Sequence, residues 1–262
     1  MSTRIFMMTA WSWSPGLFLG CAAAVVGFCL LSRKAGGRGR PGLFALGLAL
    51  VFLTLASPLN VLAEGCLFSA HMLQHLTLLF IAPAFFLLSL PRGIRAPAQL
   101  HGGGWLVAAW IGGVGAMWFW HVPAFCDAAS ASHAMHGFQT ISLLSMGLLF
   151  WWPIFAPGSA DRIAPWAGVA YLFTACLACT ALGILITLTP VEVCPIFREP
   201  ADPFGFLPTI RNSWGLSAER DREIGGLLMW VPMCAIYVGA IVVEIARWYG
   251  AVAGKHLEGA AS

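Results

Sequence analysis

Charge is scarce in this sequence of 262 residues: Asp, Glu, Lys and Arg together make up 10%, where a soluble domain carries about a quarter. The formal net charge is only +3, which excludes the basic surface that nucleic acid requires. Lysine occurs at Lys34 and Lys255 alone. No HExxH is present, because Met72 holds the Glu position of the HxxxH run, and this excludes the helix-borne zinc hydrolases. No glycine-rich phosphate loop is present either; Gly102-Gly103-Gly104 opens an apolar run instead. What fills the sequence is apolar: 59% hydrophobic residues plus 29 glycines. That excess rules out a water-soluble fold and disorder alike, and predicts a polytopic membrane protein.

A helix needs about 20 apolar residues to cross the hydrocarbon core. Seven stretches qualify: 15–32, 41–57 (extending to Leu59), 67–90, 103–121, 133–153, 167–190 and 224–247. Strand alternation is absent, so the expected fold is all-α, a single membrane domain over 1–262 with seven transmembrane helices. Arg33, Lys34, Arg38, Arg40, Arg92, Arg95, Arg162, Arg247 and Lys255 fall in linkers on one side. Only Arg4, Arg198, Arg211, Arg220 and Arg222 fall on the other, with most of the acids. The positive-inside rule makes the first side cytoplasmic, with the N-terminus out and the C-terminus in. The expected location is the bacterial cytoplasmic membrane, in contact with lipid. Segment 191–223 is then a periplasmic loop. Pro195, Pro200, Pro203 and Pro208 interrupt helix there, while Phe197, Phe204, Phe206 and Trp214 are too apolar for a bare solvated loop. It reads as a lid over the helix ends or as a docking surface.

The first six spans hold no Asp, Glu, Lys or Arg, and the seventh holds only Glu244 before its terminal Arg247. Proton pumps, ion-coupled transporters and voltage sensors need intramembrane charge. Retinal proteins need a Lys within a span. None of these classes fits.

Histidine is the informative residue. His101 and His256 lie toward the cytoplasmic side, whereas His71, His75, His121, His133 and His136 lie at outer span ends. Positions four apart on a helix are about 40° apart around its axis, and positions three apart about 60°. His71 and His75 therefore share a face, and so do His133 and His136. A tight loop from Val122 to Ser132 joins His121 to the second pair. These spacings suit a shared metal or heme site; the plainer alternative is a hydrogen-bonded polar cap. Imidazole suits zinc, copper, iron and nickel, and thioether favours Cu(I). Met72, Met135, Met229 and Met233 accompany the histidines and tilt the choice to copper. Cys66, Cys126 and Cys194 lie on the outer side, where two of them can form a disulfide or supply thiolate. Cys176 and Cys179 form a CxxC within span six, read as packing.

The runs Leu55-Ala56-Ser57-Pro58-Leu59, Phe68-Ser69-Ala70-His71-Met72-Leu73-Gln74-His75-Leu76 and Ala82-Pro83 resemble the multi-span CtaG-type cytochrome c oxidase assembly factors. Trp120-His121-Val122-Pro123, Trp151-Trp152-Pro153, Ala181-Leu182-Gly183, Trp214-Gly215-Leu216-Ser217 and Gly225-Gly226-Leu227-Leu228-Met229-Trp230-Val231-Pro232 follow in order, so that the resemblance covers about residues 40–245. It implies a non-enzymatic role in maturing a heme–copper terminal oxidase by handling copper. It implies as partners the terminal oxidase subunits and a periplasmic copper chaperone. Asp221 matches an acidic position of the family, whereas Arg222-Glu223 and Cys194-Pro195 depart from its pattern. The expected ligands are His71, His75, His121, His133 and His136, with Met72, Met229, Asp221 and Cys194 ranked second. The alternatives are a b-type heme protein, a structural subunit of a respiratory oxidase complex and a di-iron membrane oxygenase or desaturase. The last normally places about eight histidines on the cytoplasmic side, against five facing outward here.

Overall fold

A computed structural model describes residues 3–95, 102–188, 193–200, 202 and 204–260, with side chains to residue 253. His101, Pro190, Pro203 and the side chain of His256 lie outside the described residues. The chain is all-helical, with no strand among the described residues. Five helices are long and apolar enough to cross a bilayer: Pro15–Lys34, Phe68–Ser89, His133–Phe155, Pro165–Leu188 and Ala218–Ala253. A bent pair, Gly103–Trp120 and Pro123–Ala131, makes a sixth when counted as one span. Helix α2 (Pro15–Lys34) buries none of its residues and leaves Leu19 71% exposed. An apolar helix so bare is stable against lipid, not water.

Helices occupy all seven predicted places, but the second, α3 (Pro41–Ala56), has 16 residues. That is about 24 Å of rise against about 30 Å of hydrocarbon, short of a straight crossing. Nor does it run on to Leu59. Pro58 has no N–H for the ladder; α3 stops, and α4 (Pro58–Ala63) restarts behind Ser57, whose hydroxyl accepts from Leu59 N–H at 3.3 Å. The other differences arise at loops. Val122 to Ser132 is not a loop but largely helix α8 (Pro123–Ala131), set at 74° to α7 (Gly103–Trp120). A short helix, α1 (Thr3–Thr9), precedes α2 and buries Phe6 against Phe206. The last helix, α11 (Ala218–Ala260), begins before 224.

The central span consists of α5 (Phe68–Leu76), a π turn (Thr77–Ile81) and α6 (Ala82–Ser89). Of its apolar window 67% is buried, against 39% or less in the other four spans. Pro83 cannot donate to the Leu79 carbonyl, and the ladder widens just before it, Ala82 N–H reaching Thr77 O. The Leu79 carbonyl faces Gly147 of α9 (His133–Phe155), where any Cβ would collide with it. Gly147 thus lets α9 lie directly on the π turn. Helices α10 (Pro165–Leu188) and α11 pair closely, Gly183 lying against Trp230 and Gly226 against Thr187. Arg40 N–H donates to Ser89 O at 2.7 Å, so the Arg-rich α2–α3 link sits at the Ser89 end of the central span. His71 and His75 sit at the other.

A histidine and methionine cluster at one end of the bundle

Helix α5 starts at Phe68, and Leu67 at its N-cap has no side-chain oxygen to offer. Its first amides are satisfied from 153 residues away. Asp221 Oδ2 accepts from Phe68 N–H at 2.8 Å, and Oδ1 accepts from Ser69 N–H at 3.1 Å and from Ser69 Oγ at 2.5 Å. A buried carboxylate at a helix N-terminus meets both orphan donors and the helix dipole. This corrects the expectation that Asp221 is a metal ligand: its oxygens are occupied in holding α5 to α11.

The spacing of the first two histidines then acts as predicted. His71 and His75 lie one turn apart, both buried, with ring centroids 4.3 Å apart. The His71 Nδ1 lies 3.1 Å from the Ala63 carbonyl at the end of α4. A carbonyl only accepts, so the proton is on Nδ1 and Nε2 carries a lone pair; that Nε2 is buried without a partner. Among the described residues, neither ring nitrogen of His75 meets hydrogen-bond geometry, and its polar neighbour is Gln139.

His121 closes α7, and its ring centroid is 5.2 Å from that of His75. Its Nδ1 lies 2.5 Å from the Met117 carbonyl, one of the acceptors that a helix C-terminus leaves unfilled. The same reasoning places the proton on Nδ1. The other nitrogen, Nε2, lies 3.2 Å from Met72 Sδ. A thioether has no proton to give. An imidazole lone pair and a sulfur lone pair therefore face each other with no proton between them, inside a buried pocket.

The remaining candidates divide. His136 is half-buried, with Nε2 3.8 Å from Glu64 Oε1, and lies within electrostatic reach of His71 and His75. His133 is exposed at the first position of α9. It shares a face with His136 but lies a turn nearer the helix end, outside the cluster, which corrects its place among the ligands. Met229 is buried on α11, one turn beyond Gly225, which abuts Phe68 and Met72. Cys194 is in a disulfide with Cys126. A disulfide sulfur is no thiolate, so Cys194 too leaves the ligand set. Cys66 is in no disulfide, and burial, with Asp202 beside it, pushes its thiol up to about 11 against the weaker pull of Arg211; it stays protonated. Among the described residues, no group of three or more His, Cys, Asp or Glu side chains stands in an arrangement that could hold a metal ion.

Several residues around the cluster were missed in the sequence. Gln74 donates to Asn60 Oδ1 at 2.9 Å, and Asn60 donates to Glu64 Oε1 at 2.8 Å, a polar chain that locks α4 against α5 behind the imidazoles. Polar residues inside apolar runs were the available signal. Gln139, buried on α9, stands beside His75 and His136. Phe197 lies over the cluster, 5.4 Å from the His71 ring and 5.7 Å from Phe68. The Cys126–Cys194 disulfide and an Ile196 N–H bond to Asp127 Oδ1 at 3.3 Å tie its segment to α8. Beside Phe197, a cavity of about 110 Å³ is bordered by Phe68, Cys194, Asp221 and Arg222.

The chain is 23% identical, over 92% of its own length, to the uncharacterized protein Mb0105 of Mycobacterium bovis and, to the same extent, to the uncharacterized protein MT0111 of Mycobacterium tuberculosis. It spans 40% of the length of these curated relatives. No solved structure matches it. The family model that matches, over residues 23–251, is that of the cytochrome c oxidase caa3 assembly factor. Matched over most of its length, with its span-end histidines gathered at one end of an apolar bundle, the chain belongs to the Caa3_CtaG family of cytochrome c oxidase assembly factors.

Proposed function

We propose that this assembly factor carries copper as cargo, held at the outer face of the bacterial cytoplasmic membrane by Met72 and the imidazoles of His71, His75 and His121, and hands it to a terminal oxidase subunit. The observation that carries the reading is the unprotonated approach of His121 Nε2 to Met72 Sδ at 3.2 Å. Two facing lone pairs in a buried site repel unless a cation lies between them, and a thioether with imidazoles is a soft donor set suited to Cu(I). The backbone carbonyls of Ala63 and Met117, which accept from the far nitrogens of His71 and His121, are the outer partners that fix tautomer and ring orientation in metal-binding histidines. Rings packed 4.3–5.2 Å apart favour an ion over the slab of a heme b. His136, within reach at the edge, fits a station on the way in or out. A periplasmic copper chaperone fits as donor, reaching the cluster past Phe197.

The test uses the full chain purified in detergent, loaded with Cu(I) under reductant and desalted before elemental analysis. Wild type is expected to keep about one copper per chain. His71→Ala and His121→Ala each lose most of it, and His133→Ala keeps it. Unchanged copper in both His71→Ala and His121→Ala overturns the reading.

A further inference from the structure

The opposite end of the bundle holds a second site that the histidine chemistry does not use. Three connections converge there. In the α2–α3 link, Gly39 lies under Phe28 and the Ser89 carbonyl, and Gly37 lies against Pro91. After α6, Gly93 faces the Ala35 carbonyl so closely that a Cβ would stand 2.6 Å from it. Between α9 and α10, Ile163 N–H returns to Pro153 O at 3.0 Å and Arg162 Nε donates to Ala156 O at 2.7 Å. Gly158 of this last connection packs near the Arg92 and Ile94 carbonyls.

These packed connections aim arginines into one cavity of about 390 Å³. Arg38, Arg40, Arg92 and Arg162 line it, no carboxylate does, and Leu87, Leu88 and Phe155 form its apolar part. The size lies within the range of roughly 300–1,000 Å³ typical of ligand sites. Among the described residues, no carboxylate pairs with Arg38, Arg40 or Arg92. Of the acids at this end, Glu244 is bonded to Arg247 and also attracts Arg162 from outside the lining, and Asp161 is not in the lining. Four guanidiniums, always charged, thus share one cavity whose described lining holds no carboxylate.

We propose that this cavity binds a phosphate anion presented as the headgroup of an anionic phospholipid. Guanidinium donors match phosphate oxygens in paired hydrogen bonds. Basic pockets between transmembrane helices are suited to acidic headgroups. The lipid source, rather than a soluble phosphate, is favoured by the cavity's leucines and phenylalanine and by its position at a helix-bundle end. Beside it, the last turns of α2 present Leu30 and Leu31, 59% and 41% exposed, along which acyl chains can lie. The site is independent of the copper reading and anchors the three connections as one unit.

The experiment titrates the detergent-purified full chain with phosphatidylglycerol, phosphatidylcholine or inorganic phosphate and follows thermal unfolding. Phosphatidylglycerol is expected to raise Tm saturably, with no rise from phosphatidylcholine or from inorganic phosphate at matched concentration. In the triple variant R38Q/R40Q/R92Q, half-saturation shifts to roughly a hundredfold more phosphatidylglycerol, from about one surface cation's worth of attraction per arginine. The double variant R33Q/K34Q, at the same end but outside the cavity, behaves as wild type. Native mass spectrometry of Arg92→Gln alone, expected to retain less phosphatidylglycerol than wild type, gives a second readout should the triple variant not fold. A Tm rise from phosphatidylcholine equal to that from phosphatidylglycerol, or lipid retention unchanged in Arg92→Gln, overturns the proposal. A rise from inorganic phosphate equal to that from phosphatidylglycerol overturns the lipid assignment.

Discussion

Imidazoles and a thioether are weak ligands in water and strong ones where water is excluded and their orientation is set beforehand. His71 and His121 each have one nitrogen committed to a backbone carbonyl, and that commitment leaves Nε2 of His121 as the atom that faces Met72. The contribution of Met72 can be separated from packing. Met72→Leu keeps volume and apolarity, a swap that costs less than about 1.5 kcal/mol of stability, but it removes the sulfur. Cu(I) affinity, measured by competition with a chromophoric chelator, is expected to fall at least about tenfold, or roughly 1.4 kcal/mol. Met229→Leu, equally buried, should leave it within about twofold, less than roughly 0.5 kcal/mol. Equal affinity in wild type and Met72→Leu would reduce Met72 to a packing residue. The HxxxH spacing was readable because helical periodicity is local. The His121–Met72 approach was not, since it joins residues 49 apart.

The central span is held at its start by Asp221 and widened in its middle at the π turn before Pro83, so its two halves are positioned by different partners: α11 above, α9 at the π turn below. The connection carrying Phe197 is fastened by the Cys126–Cys194 disulfide, which closes a loop spanning 68 residues. Removing such a cross-link costs about 2–4 kcal/mol where native packing is unstrained. The double variant C126S/C194S is therefore expected to unfold at lower temperature. It should also release bound copper to a chelator several-fold faster, with unchanged stoichiometry, because the imidazoles and Met72 are untouched. An unaltered release rate would mean that the segment around Phe197 does not control access. The sequence placed both cysteines on one side and left disulfide and thiolate ligation open. The choice depends on α8, whose helical turn at Pro123 swings Cys126 toward Cys194, and a chain read as a loop over 122–132 carried no such geometry.

The whole molecule has two chemically opposite ends, a histidine–methionine end and an arginine end, separated by the length of the Phe68–Ser89 span. By the positive-inside rule, the excess of basic residues is expected to orient the arginine end toward the cytoplasm. A reporter active only in the periplasm is expected to be silent when fused after Ser262 and active when inserted near Ala201. The reverse pattern would put the histidines in the cytoplasm and remove the copper reading with them.

An apolar majority with charge confined to linkers was enough to determine an all-helical membrane protein, the approximate place of each long helix and the gathering of histidines at one end of the bundle. Each of these follows from composition and short-range periodicity, because a bilayer demands that every backbone amide be satisfied within its own helix. Helix ends, bends and partners follow other rules. Pro58 broke α3, and Asp221, read as a ligand, became the cap of a helix 152 residues earlier. His133 shared a face with His136 and still fell outside the cluster. Arg38, Arg92 and Arg162 counted only as topogenic charges until their connections met around one cavity. These outcomes depend on which helix approaches which, and side chains from distant segments acquire their roles only when tertiary packing makes them neighbours.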